Sequence, residues 1–349
     1  MNEIHLYLLS KEERALFFRT AAEIMHMPFE IIEKDYWVVW VLERLFSLVK
    51  MKSYLTFKGG TSLSKAYGLI DRFSEDIDLS IEREFFGFKV PSDPENAPSK
   101  KKQRTILDNL SQACSNYVQA EMLDDLKDAI GTKLGTASDW RIFCDLEDPD
   151  AQTLLFEYPS ETSRAGYIRP LVKIEIGARS EHWPVSEHKI HSYAKEALKE
   201  KIHEPETWVR VLNAERTFWE KATILHQYAH LPEDKKLPPR ISRHFYDFFR
   251  LLNSEVKEKA LVETALLERV AIHKNIYFAS SWANYGTARK KTLKLFPPSR
   301  ILKELEKDYH LMKAMFFREV PNWELILKTI EQFEKEFNDP DDERIENYD

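Results

Sequence analysis

No stretch of this 349-residue chain approaches the roughly 20 consecutive apolar residues that a membrane-spanning helix requires, so no membrane partner is expected. Cysteine is scarce. Cys114 and Cys144 have no metal-ligand spacing and read as buried thiols rather than a disulfide. The opening residues, MNEIHLYLLSKEER, do not combine a basic start, an apolar core and a small-residue cleavage site, so no signal peptide is read and a cytoplasmic location is expected. There is no Walker-type G-x-x-x-x-G-K-S/T, no Ser/His/Asp elbow and no internal repeat. His182, His188 and His191 fall near a turn and read as surface histidines, not a metal cluster. Nor is there an excess of positive charge. The net charge of -7 argues against broad binding to nucleic acid by bulk charge, while leaving room for a local basic patch.

What is present centres on Leu55 to Ile81, LTFKGGTSLSKAYGLIDRFSEDIDLSI. The pattern predicts a strand over Leu55, Thr56, Phe57 and Lys58, a turn at Gly59-Gly60, a helix from Thr61 to Gly68, and a second strand from Ser74 to Ile81. In that strand Asp76, Asp78 and Ser80 face one way and Ile77, Leu79 and Ile81 the other. A glycine turn at a helix N-terminus favours a phosphate, through free backbone N–H groups and the helix dipole. Two carboxylates on one strand face, about 7 Å apart along the chain, can share divalent metal ions. The bland alternatives are a tight turn and an edge-strand acidic pair.

The rest of the chain divides by pattern. Residues 10 to 50 read as helical, with Ser10 and Glu13 spaced as a capping box. In FEIIEKDYWVVWVLERLF an apolar stripe is interrupted by Glu33, Lys34 and Asp35. Either these are a solvated first turn, or Lys34 or Asp35 borders the site. FGFKVPSDPENAPSKKKQR reads as a loop, whose Lys100, Lys101, Lys102 and Arg104 are a solvated run or a phosphate contact. A long amphipathic helix is expected over residues 103 to 130. Strands are expected at 140–148, 153–160 and 171–180, the first two joined by a turn at Asp148-Pro149-Asp150. In the third, Glu175 is a salt-bridge residue, a solvated residue or a third metal carboxylate. From about residue 205 the strand signals stop and helical periodicity takes over, with a Pro-punctuated loop at 230–240. The segment 282–294, WANYGTARKKTLK, suits RNA stacking and phosphate contact, or is a loop docked by its aromatics. The acidic tail DPDDERIENYD reads as frayed.

FKGGTSLSKAYGLIDRFSEDIDLS (57–80) resembles the signature of the AbiEii/AbiGii-type nucleotidyltransferase toxins, relatives of the MenT-type toxins within the DNA polymerase β-like superfamily. That signature is G-G-T-x-L-x-K followed by R-x-S-x-D-x-D, which Arg72, Ser74, Asp76 and Asp78 match. ERTFWEKATILHQ resembles the third motif, with Lys221 at its lysine, and RHFYDFFRLL the fourth, with Arg243 and Asp247 in place. The closing motif of the family often reads YDLYDL; Phe248 and Phe249 depart from it on the apolar side only. The flanks EKDYWVVWVLERLF and YFASSWANYGTARKKTLKLFPP also resemble the family, so the likeness covers nearly the whole chain.

The resemblance implies an α+β fold: a nucleotidyltransferase-like mixed-sheet domain (1–204), then an all-helical C-terminal domain (205–349) carrying the later motifs, with the nucleotide between them. It implies Asp76, Asp78, Lys221 and Asp247 as catalytic residues, with Asp76 and Asp78, and Glu175 as a third candidate, on Mg²⁺ or Mn²⁺. Gly59, Gly60, Thr61, Ser62, Lys65, Ser74 and Arg243 would bind the nucleotide, Thr61 and Ser62 partly through their hydroxyls. Lys65 reads equally as a surface lysine. For Asp247 the alternatives are a buried pair with Arg243 or Arg250, or a meeting with Lys221 or nucleotide. The implied activity is NMP transfer from GTP, CTP or UTP to an acceptor, the 3′ end of tRNA among relatives. The implied role is a toxin of a type IV toxin–antitoxin or abortive-infection system, with a cognate antitoxin as partner. A kinase-like phosphotransferase and a catalytically silent RNA- or protein-binding module stay open as alternatives.

Overall fold

The computed structural model describes residues 4–90, 92–135, 139–160 and 169–339; Pro91 of the expected loop and the acidic tail beyond residue 339 lie outside the described residues. The chain forms two compact units. One comprises Met1–Ala66 and Phe73–Val211, the other Tyr67–Arg72 and Leu212–Asp349.

The first unit is built on seven strands: β1 (Leu55–Lys58), β2 (Asp76–Ile81), β3 (Arg141–Cys144), β4 (Thr153–Glu157), β5 (Leu171–Gly177), β6 (Val185–Ile190) and β7 (Thr207–Leu212). They lie in one sheet in the order β3-β4-β5-β2-β1-β7-β6. The sheet is mixed, as expected. β2 is antiparallel to β1 and parallel to β5, and β1 is parallel to β7. β4 is antiparallel to both β3 and β5. The Asp148 carboxylate closes the β3–β4 turn by accepting from the amides of Asp150 and Gln152 and from the Thr153 hydroxyl.

Helix α1 (Lys11–Met25) starts at the expected capping box. The Ser10 hydroxyl accepts from the Glu13 amide at 3.2 Å, and the Glu13 carboxylate accepts from the Ser10 amide at 3.1 Å. In α2 (Phe29–Ser47) nearly every side chain from Ile31 to Phe46 is buried, which is the pattern of an interior helix rather than a one-sided amphipathic one. Trp37 stacks on Tyr158 and Trp40 on Phe156, which seats α2 beside β4. α3 (Gly59–Lys65) begins at the glycines themselves and stops short of Gly68, against the expected Thr61 start. The lysines expected in a loop stand in α4 (Lys100–Tyr117). Ser99 caps it by accepting from the Lys102 amide, and Lys100, Lys101, Lys102 and Arg104 face solvent. A π turn at Val118–Met122 carries the helix on into α5 (Leu123–Leu134). α6 (Tyr193–Leu198) follows β6.

Two strands correct the sequence reading. β6 occupies the sheet edge and is largely polar, so it lacks apolar alternation. β7 lies beyond residue 205, where strand signals were expected to have stopped. Its alternation is real, with Thr207, Val209 and Val211 buried and Trp208 exposed, but it spans only six residues. Cys114 is buried and Cys144 half-buried, both as free thiols; burial pushes the Cys114 thiol up to about 12.

The second unit is helical: α7 (Ala214–Ala229), α8 (Ser242–Leu252), α9 (Val256–Val262), α10 (Thr264–Tyr277), α11 (Ser299–Leu311) and α12 (Trp323–Asn338). Its core is aromatic. Phe218 of α7, Phe248 of α8 and Phe333 of α12 meet at 4.8–5.7 Å between ring centres, and Trp219 meets Phe337. Residues Tyr67–Arg72 belong to this unit. The Tyr246 hydroxyl accepts from the Asp71 amide, and Arg250 reaches both the Asp71 carboxylate and the Leu69 carbonyl. No helix among the described residues is long and apolar enough to cross a membrane.

Candidate active site

In the sheet unit, β1 ends with Lys58 opposite Asp78. The chain then turns at Gly59 with φ +79, a conformation that glycine adopts without steric cost. A Cβ on Gly59 would stand 1.9 Å from Asp78 Oδ2. The position therefore requires glycine twice over, for its backbone and for the carboxylate packed against it. Asp76 lies two residues earlier on the same face of β2, half-buried like Asp78, while Ile77, Leu79 and Ile81 are in the core. Of the two aspartates, Asp78 is thus the one packed on the glycine turn.

Thr61 and Ser62 are where they were expected, but their hydroxyls are spent within the motif. Thr61 Oγ1 donates to the Asp76 carbonyl at 2.5 Å and stands 3.0 Å from Ser74 Oγ. Ser62 Oγ donates to the Gly59 carbonyl at 2.9 Å. These side chains tie the turn to the start of β2. What α3 offers an anion is its first-turn N–H groups, which have no intrahelical partner. Lys65 is not a surface lysine. It is buried and ion-paired with Asp35 at 2.9 Å. Neither Lys34 nor Asp35 is in a solvated turn: Lys34 pairs with Glu75 at 2.5 Å, beside Asp76.

Glu175 lies in register next to Asp78 and Lys173 next to Asp76. Glu175 is bound to Lys173 at 2.6 Å. Burial disfavours the Lys173 ammonium, yet the hydrogen bond and charge of Glu175, with the charge of Asp76, hold its pKa above the ordinary lysine value. Among the described residues no three of His, Cys, Asp and Glu gather as a metal site. The Asp76 and Asp78 pair would be the donor set for a divalent ion. It suits Mg²⁺, which is usually held by one or two carboxylates with waters and substrate phosphates completing the shell. His182 is not the expected surface histidine. Its ring nitrogens meet the Thr56 hydroxyl at 2.7 Å and the Ser80 hydroxyl at 3.2 Å. Burial pushes it down to about 3, helped by the charges of Arg210, Arg83 and Lys58.

The helical unit holds a second cluster. Asp247 on α8 is fully buried and accepts a two-pronged contact from Arg72, Nε to Oδ1 at 2.7 Å and Nη2 to Oδ2 at 2.8 Å. Lys221 on α7 donates to Asp247 Oδ2 at 2.8 Å and stands 3.1 Å from His244 Nδ1. Burial opposes ionisation of Asp247, but the charges and hydrogen bonds of Arg72 and Lys221 outweigh it and hold the carboxyl well below the usual range. Burial lowers the Lys221 pKa and Asp247 resists, while the charges of Arg72 and Arg243 add to the lowering. Burial, with the charges of Lys221 and Arg243, keeps His244 neutral. Arg243 is half-buried one helical turn before Asp247.

Of the partners weighed for Asp247, Lys221 is present. Arg250 binds Asp71 instead, at 2.6 Å. Arg72 and His244 are the residues that sequence reasoning missed. Arg72 stood in the matched motif, but nothing in its spacing names an acid 175 positions away. In 282–294 the docked reading holds for Tyr285, which is buried and donates to Gln227 Oε1 at 2.8 Å. Arg289, Lys291 and Lys294 face solvent.

The family model described as nucleotidyl transferase AbiEii toxin, type IV TA system, matches residues 40–335. Among solved structures, MenT4, a nucleotidyltransferase toxin from Mycobacterium tuberculosis H37Rv, is 14% identical, with 97% of this chain and 98% of that one covered and a TM-score of 0.41. JHP933 from Helicobacter pylori is 15% identical over 86% of this chain and 94% of that one, with a TM-score of 0.33. No curated protein matches the chain.

Proposed function

The chain belongs to the AbiEii family of nucleotidyltransferase toxins of type IV toxin–antitoxin systems, and we propose that it moves a nucleoside monophosphate from an NTP to the 3′ end of a tRNA, with Asp76 and Asp78 as the metal-binding carboxylates. Membership of such a family implies an NTP substrate and an antitoxin partner. The observation that carries the site assignment is the Asp78 carboxylate packed on the Gly59 turn.

In this reading an acceptor hydroxyl attacks the α-phosphorus and gives up its proton to water. A new P–O bond forms as the bond to the bridging oxygen breaks, and pyrophosphate leaves with that electron pair. A divalent ion at Asp76 and Asp78, Mg²⁺ or Mn²⁺, would neutralise charge developing on the phosphates. The chain's own contribution is positioning and charge. Gly59 and Gly60 let the backbone approach the phosphates, and the first-turn amides of α3 face them. Lys221 has three N–H donors. Asp247 and His244 engage two of them. Arg72 keeps Asp247 ionised and in place.

Incubating the protein with total RNA, Mg²⁺ and each NTP labelled at the α or the γ position tests the proposal. Label from the α position in the tRNA fraction is expected, and the NTP that gives it identifies the base. Transfer of γ-label would make the protein a phosphotransferase instead, and α-label in protein alone would remove tRNA as acceptor.

A further inference from the structure

Helix α2 buries three consecutive charged residues, Glu33, Lys34 and Asp35, at 2%, 5% and 4% exposure. At 3.6 residues per turn they point in three directions, and each meets a different element. Glu33 accepts from the Ser160 hydroxyl, just past β4, at 2.6 Å. Lys34 binds Glu75, the residue before β2. Asp35 takes the Lys65 ammonium at the end of α3 and the Tyr193 amide at the start of α6, the latter at 2.6 Å. The Lys65 ammonium also sits 3.8 Å from the centre of the Tyr193 ring, whose hydroxyl lies 3.2 Å from Ser64 Oγ. All three α2 residues precede the stretch that the family model matches.

Their burial is weak evidence of a stabilising role. A buried ion pair can often be replaced by apolar side chains of similar volume at no loss, and α2 has apolar contacts along its whole length. Burial pushes Asp35 up to about 6, more than its partners Lys65 and the Tyr193 amide offset, with Glu196 adding to the rise. What the pairs do supply is direction. One fixes the residue next to Asp76; the other fixes the helix that begins at Gly59.

We propose that Lys34 and Asp35 are positioning residues of the transfer site, which set α3 and its glycine turn against the carboxylates of β2 by gripping Glu75 and Lys65. The inference rests on the reading of Asp76 and Asp78 given above. Neither residue is a substrate ligand in it, so the effect of removing them falls on turnover more than on nucleotide affinity.

The test uses the full-length protein, with α-label transfer read as kcat and KM and with amide hydrogen exchange as a readout independent of turnover. Lys34→Met is expected to fold, to lose roughly 100-fold in kcat with little change in NTP KM, and to exchange about tenfold faster at residues 75–77. Lys34→Arg recovers most of both. The double variant Asp35→Asn, Lys65→Met gives a similar kcat loss, with faster exchange in α3. Should Lys34→Met not fold, the reversed pair Lys34→Glu, Glu75→Lys decides: near wild-type kcat supports the brace, and a folded but inactive protein overturns it. Wild-type kcat in both Lys34→Met and the double variant, with Asp78→Asn inactive, also overturns it. Wild-type transfer by Asp78→Asn overturns the site assignment itself.

Discussion

The Asp78 carboxylate rests on the bare α-carbon of Gly59, where an added methyl group would fall 1.9 Å from Oδ2. The turn proposed to admit phosphate and the carboxylate proposed to hold the metal thus occupy one spot, and each constrains the other. Neither a tight turn alone nor an acidic edge pair alone would require that contact.

Gly59→Ala should therefore cost more than strain. The left-handed conformation costs about 1–2 kcal/mol for a residue with a Cβ, and Asp78 must also move. Gly68→Ala is the control, since Gly68 also has positive φ but has nothing within 4 Å of a built Cβ. Both variants should lose stability in urea titrations; only Gly59→Ala should lose α-label transfer.

Asp76→Asn and Asp78→Asn should leave stability within about 1 kcal/mol of wild type, because both side chains are only half-buried. Transfer and growth arrest should both disappear. Thermal melts together with growth after induction separate loss of chemistry from loss of fold.

Arg72→Met removes the two-pronged partner of a fully buried carboxylate and should destabilise by about 3–5 kcal/mol. Arg72→Lys should recover only part, since an ammonium lacks the planar fork. Converting Asp247 to Leu and Lys221 to Met together in the Arg72→Met background should restore stability in chemical denaturation, because no unpaired buried charge then remains.

Acid should unfold the protein partly through its buried histidines. Burial, with the charges of His230 and Lys294 and against hydrogen bonds to Asn284 and Lys294, pushes His226 down to about 4, and His182 is pushed to about 3. Between these values and the ordinary 6.5 or so, the unfolded chain binds protons that the folded chain refuses. Stability is then complete above about pH 6.5 and falls as pH drops toward 4, by on the order of 3 kcal/mol for His226 alone. His226→Gln should flatten that slope in urea midpoints measured from pH 7 to pH 4.5.

Local pattern carried much of this molecule. The capping box of α1, the run from β1 through the glycines to β2, and the helical periodicity after α7 are all short-range signals, and the structure contains each. What sequence could not supply was partners. Glu33, Lys34 and Asp35 read as breaks in an apolar stripe because Ser160, Glu75 and Tyr193 lie far along the chain. Asp247 was weighed against arginines one turn away, yet the tertiary fold delivers Arg72. β6 was missed because a sheet edge tolerates polar residues on both faces.

The most direct test is to locate the metal. Crystals grown with Mn²⁺ and a non-hydrolysable NTP should show an anomalous peak about 2.1 Å from carboxylate oxygens of Asp76 and Asp78, with phosphate density at the Gly59-Gly60 turn. A bound nucleotide whose Mn²⁺ and phosphates lie away from both aspartates would contradict the account.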